Sequence, residues 1–91
     1  MSRMFRPAVP GYAPAMTADR LIDIAIARLL RDHGGARHEW RKRIGRVTIY
    51  SSATHPHCNW AIGPIGSLAQ IDAIEKLLDD LRLQHPILAA E

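Results

Sequence analysis

The 91 residues, 47% apolar and 23% charged, make one domain that buries only about 60–65% of its unfolded surface, so the core is thin and a dimer interface would be a natural supplement. A single cysteine, Cys58, excludes an intrachain disulfide and the usual argument for secretion, and no apolar run approaches the roughly 18 residues of a membrane span. The net charge of +3 divides unevenly: residues 1–46 hold ten Lys/Arg and four Asp/Glu (+6), residues 47–91 two and five (−3), which bears on partners and self-pairing rather than on fold.

Residues 1–16 contain Pro7, Pro10, Pro14 and Gly11. Three prolines in eight residues forbid a helix and break strand ladders, so a Pro-rich arm is expected over 1–16, with Phe5, Val9 and Tyr12 as its apolar anchors. Arg3 and Arg6 are not followed by the apolar block of a secretory signal. Acids are absent before Asp19, as in a transit peptide, but the expected compartment is the cytoplasm.

A single α+β domain is predicted over 17–91. Thr17 caps its first helix, Asp19 suits the positive end of the helix dipole, and Ile22, Ala25, Ile26 and Leu29 repeat at helical spacing, widened by Leu21 and Leu30. Gly34 and Gly35 end it. Residues 36–43 are polar except for Trp40 and fit a loop, a short helical turn or the start of a strand. Arg46–Ser51 alternates and is rich in β-branched residues, so it is predicted as a strand with Val47 and Ile49 facing the core. A loop around His55-Pro56-His57 leads to a second strand, 59–62, with Trp60 and Ile62 on one face, and the six-residue connection suits a hairpin. After the turn 63–66, Ser67 and Gln70 form a capping box for a helix with Ile71, Ile74, Leu78 and Leu81 on its inner stripe. Asp72, Lys76 and Asp80 are spaced for ion pairs on its outer face. Pro86 halts that helix near Gln84, leaving Ile87 and Leu88 to pack back. The predicted order is α-β-β-α, two helices on a short antiparallel hairpin or three-stranded sheet. Two strands alone are marginal.

Three features carry candidate chemistry. Arg37, Arg41, Lys42, Arg43 and Arg46 surround Trp40: cations bind phosphates and an indole stacks a base. The plainer alternative is a solvated loop that pairs with the acidic outer face of the last helix, with Trp40 in the core. His55, His57 and Cys58 are good zinc or copper ligands, with His85 as a fourth arm, although they lack the two separated ligand pairs of a structural zinc site. The same imidazoles could act as acid and base beside a phosphate-binding patch, the minimal equipment for metal-free RNA cleavage. Otherwise Cys58 is a small buried apolar residue and His-Pro a rigid turn. Gly63–Ser67 before a helix could hold an anion on free N–H groups, but strand-to-helix turn chemistry is the simpler expectation.

The helix–sheet–helix order resembles double-stranded-RNA-binding-like folds, including the HicA-type toxins. Gly66, Ser67 and Leu68 stand where the RNA-binding domains open their last helix with basic residues. Ala53-Thr54-His55 stands near the position of the toxins' Gly-Ser-His signature, so no functional residue carries over.

The leading expectation is a non-catalytic interaction module. It contacts a nucleic acid or an acidic protein surface through Arg37, Trp40, Arg41, Lys42, Arg43 and Arg46 together with His55, His57 and Trp60, the two segments sharing one end of the hairpin. It needs no cofactor, metal or membrane, and a homodimer is the natural assembly. The alternatives are a ribonuclease-like or toxin-like enzyme using His55 and His57, a metal-binding or sensing protein, and an inhibitory accessory factor of a mobile element.

Overall fold

A computed structural model describes residues 16–89. Apart from Met16, the predicted arm lies outside the described residues. The element order is α1 (Ala18–His33), α2 (Arg37–Ile44), β1 (Val47–Ile49), β2 (Trp60–Ile62) and α3 (Leu68–Gln84), an α+β arrangement of three helices and one hairpin.

α1 forms as its sequence dictates. The Thr17 hydroxyl accepts from Arg20 N–H at 3.3 Å, and Gly34, at φ 76°, ends the helix by donating its N–H to Leu30 O. Its buried face is Leu21, Ile22, Ala25, Ile26 and Leu29. α3 opens with the capping box: Ser67 Oγ accepts from Gln70 N–H at 3.2 Å and Gln70 Oε1 accepts from Ser67 N–H at 3.0 Å. It runs to Gln84 and buries Ile74, Leu77, Leu78 and Leu81. The outer-face spacing forms one of its predicted pairs, Lys76–Asp72 at 3.1 Å, whereas Asp80 reaches across to Arg28 on α1 at 3.1 Å.

Residues 37–44 are a helix rather than a loop or strand start. Trp40 and Ile44, one turn apart, bury the inner side of α2, and Gly45, at φ 73°, stops it with an N–H bond to Arg41 O. Glu39 in its first turn and Arg41, Lys42 and Arg43 in its last match the helix dipole.

β1 and β2 pair antiparallel with Val47↔Ile62, Thr48↔Ala61 and Ile49↔Trp60. The strands are shorter than predicted, and the described residues form a sheet of two strands, with no third. Val47 and Ile49 are half-buried while Trp60 and Ile62 are buried, so one face of the hairpin looks inward as expected. The deepest side chains, however, are helical: Leu21, Ile26, Leu29, Ile44, Ile74, Leu78 and Leu81. α1 packs on both other helices, and Trp60 and Ile62 of the hairpin join the same apolar core.

The chain beyond α3 folds back. Leu88 is buried whereas Ile87 is exposed. Asn59, also buried, holds the tail at both ends of its amide: Nδ2 donates to Leu88 O at 2.9 Å, and Oδ1 accepts from Leu88 N–H at 2.7 Å. Asn59 N–H donates to Pro86 O and Ala89 N–H to Met16 O. The Trp60 indole N–H donates to His85 O at 2.7 Å, satisfying a carbonyl at the end of α3 that the helix leaves without an internal donor.

Gly66 marks where α2 and α3 approach. It sits at φ 131°, and a Cβ there would lie 2.6 Å from Gln70 Oε1 and 2.8 Å from Arg43 Cδ. Gly66→Ala is therefore expected to destabilise by about 1–3 kcal/mol through backbone strain and displacement of the capping-box oxygen. Gly63 has ordinary φ and open space around it, so Gly63→Ala serves as the near-neutral control. Urea midpoints at constant m-value check both.

Candidate functional site

α2 is held from below. The Trp40 indole N–H donates to Gly34 O at 2.8 Å, Ile44 is fully buried, and Arg43 O accepts from Ile65 N–H at 2.9 Å. The last bond ties the end of α2 to the segment that leads into α3. With Trp40 and Ile44 inward, helical spacing brings Arg37 beside Arg41 and His38 beside Lys42 on the outer side, and all four are exposed.

The five cations divide into two groups. Arg37 pairs with Asp23 of α1 at 3.6 Å, and Arg43 with Glu39 at 3.5 Å. The Arg37–Asp23 pair is long and largely exposed, and such pairs contribute little. Arg43 is half-buried across Gly66, with its Nε and Glu39 Oε1 lacking hydrogen-bond partners among the described residues. Arg41, Lys42 and Arg46 are exposed and make no ion pair among the described residues. None of the five pairs with the outer face of α3. His38, which the sequence analysis did not single out, joins this surface because residues 37–44 are helical.

The tryptophans sit elsewhere than a stacking role requires. Trp40 is 8% exposed and Trp60 3%, and both indole N–H groups are bonded to backbone carbonyls at helix ends. Arg82 lies 5.7 Å from the Trp60 ring centroid, a cation–π contact from α3. Both rings are core residues that fasten helix termini.

The histidine loop is apart from the cations. Arg46 directly precedes β1, and His55 and His57 lie in the connection that follows it, so the two segments attach at opposite ends of the hairpin. This corrects the expectation of one shared end. The loop is exposed from Ser51 to His57. His55 stacks on Tyr50 with ring centroids 4.5 Å apart. Thr54 Oγ1 donates to Ser51 O at 3.1 Å and lies 2.9 Å from His55 Nδ1. Cys58 is half-buried with Sγ 3.5 Å from Trp60 O, and His85 caps α3. Among the described residues no group of three or more His, Cys, Asp or Glu side chains is placed to hold a metal ion.

In the 63–67 turn, Gln70 Oε1 already accepts the Ser67 N–H, so the turn serves the helix cap. A groove of about 450 Å³ between α1 and α3 is lined by Arg28, His33, Asp72, Lys76 and Asp80 among others, with Arg28–Asp80 and Lys76–Asp72 paired across or along its walls. No helix among the described residues is long and apolar enough to cross a membrane.

No family model, no curated protein and no solved structure was found to match this chain.

Proposed function

We propose that this protein is a non-catalytic interaction module that offers the outer side of α2, continued by Arg46, to an anionic partner, a nucleic acid before an acidic protein surface. One observation carries this reading: Arg41 and Lys42, on a helix whose other side is fixed in the core, and Arg46, two residues past its end, are exposed without carboxylate partners among the described residues. The arrangement works against itself without a ligand. Arg37 and Arg41 stand one turn apart as like charges, which destabilises a helix by a few tenths of a kcal/mol. A phosphate chain removes that repulsion and releases its own counterions. Rigid anchoring through Trp40 and Ile44 means that binding orders side chains rather than a loop.

The enzymatic alternative asks for cations beside the histidines. The attachment of α2 and of the His55–His57 loop at opposite hairpin ends weighs against it, although the oriented imidazole of His55 is the feature that would support it.

The test is a gel shift with a short nucleic-acid duplex across a salt series. Binding should fall linearly in log–log form with added salt, and each phosphate contact contributes about 0.9 to the slope. A flat response with intact binding would remove the electrostatic basis of the proposal. Binding to polyglutamate but not to the duplex would select the acidic-protein partner.

A further inference from the structure

β1 is one edge of a two-stranded sheet, and among the described residues no strand pairs with its far side. Tyr50 N–H donates to Asn59 O, in register with the Thr48↔Ala61 pair. Antiparallel bonds fall on alternate residues, so the backbone groups of Thr48 and Tyr50 face β2 and those of Val47 and Ile49 face away from it. Among the described residues, no hydrogen bond takes up the outward N–H and C=O of Val47 and Ile49. The strand is short, but neither a proline nor an inward-pointing charge stands at 47–49, and a row of unpaired N–H and C=O groups is a template for another strand.

We propose that β1 pairs antiparallel with β1 of a second copy about a two-fold axis through Thr48, giving a four-stranded sheet across the dimer. Only this register uses every outward group without competition. It sets Val47 opposite Ile49 of the second copy, and the axis repeats the exchange. Centring on Val47 would oppose Ile49 to Gly45, whose N–H is already bonded to Arg41 O. Centring on Ile49 would oppose Val47 to Ser51, whose carbonyl already accepts from His55 N–H.

The side chains fit the same axis. On the inner face, half-buried Val47 and Ile49 of the two copies cover each other. On the outer face Arg46 comes opposite Tyr50 of the second copy, which is 42% exposed and has His55 on one side of its ring. That is a cation–π pairing made twice by symmetry, and it leaves guanidinium donors of Arg46 open to solvent. A second copy supplies each complement at once, as a closed isologous interface requires.

The axis makes a specific prediction, because residue 48 faces itself. Thr48 is exposed, so Thr48→Lys and Thr48→Glu should keep the parent circular dichroism and, at concentrations low enough that the parent is monomeric, the parent urea midpoint. By sedimentation equilibrium of the full chain over about 10 μM to 1 mM, the parent should dimerise, and each variant alone should do so at least about tenfold more weakly. An equimolar mixture of the two should regain a one-to-one dimer. A parent that stays monomeric throughout, a Thr48→Lys variant that dimerises like the parent, or a mixture that does not recover would each overturn the pairing. If either variant lost the parent fold, Val47→Pro, which removes an outward donor and no hairpin bond, would replace it, with dimer loss expected and an unaltered dimer contradicting. A monomeric chain could still bind an anion through α2, so the two proposals fail separately.

Discussion

Trp60→Ala is expected to destabilise the protein by about 3–5 kcal/mol, the range for truncating a buried aromatic side chain. Three losses coincide at this position. The ring is 3% exposed and packs within the core where hairpin meets bundle. Its N–H is the donor to His85 O, and its face receives Arg82. For a chain of this size, whose total stability falls at the low end of about 5–15 kcal/mol, that is the difference between a folded population and a largely unfolded one at modest temperature. Trp60→Phe retains most of the apolar area but leaves the carbonyl without its donor, so a smaller loss of about 1–3 kcal/mol is expected. Urea denaturation followed by far-ultraviolet circular dichroism measures both. A loss below 1 kcal/mol for the alanine variant would mean that the hairpin is not joined to the bundle through this ring.

Asn59→Ala is expected to cost about 2–4 kcal/mol despite removing a small polar side chain. Its amide answers both the N–H and the C=O of Leu88, a residue that is 2% exposed. Truncation leaves two buried backbone groups unmatched, at about 1–3 kcal/mol each when solvent cannot reach them. The effect should be local before it is global. Amide exchange of Leu88 and Ala89 should accelerate most, because Ala89 N–H is bonded to Met16 O in the same folded-back segment. Asn59→Asp keeps the acceptor for Leu88 N–H but has no donor for Leu88 O, and should fall between the parent and the alanine variant. Uniform protection of Leu88 in all three proteins would contradict the clamp.

How far the sequence foretold these features depends on the range of the interactions involved. α1 and α3 were legible because each repeats its apolar period over four turns and carries its cap in the adjacent residue, Thr17 or Ser67 with Gln70. The inward faces of Val47, Ile49, Trp60 and Ile62 followed from alternation. α2 was not legible as a helix. Its eight residues contain two apolar positions, its N-cap Ala36 makes no side-chain bond, and what favours the helix is tertiary: the seat of Ile44 in the core and the Trp40 bond to Gly34. With a loop, a short helical turn and a strand start all open for this segment, the direction in which the cations run stayed hidden, and hence their separation from the histidines. Trp40 among arginines looks like a stacking platform in one dimension, while its burial depends on α1 folding over it. Asn59 gave no local signal, since its partner Leu88 lies 29 residues along the chain.

On the proposed reading the cations of α2 and Arg46, not the histidine loop, meet the partner. Two variants compared in the same salt series with the same duplex decide this: Arg41→Ala/Lys42→Ala/Arg46→Ala and His55→Ala/His57→Ala. All five side chains are exposed, so both variants should fold as the parent does. The triple variant should lower the log–log salt slope by about 3, at roughly 0.9 per cation removed, and the histidine variant should leave it unchanged. A slope that survives in the triple variant, or one that collapses when only the histidines are removed, would contradict the account.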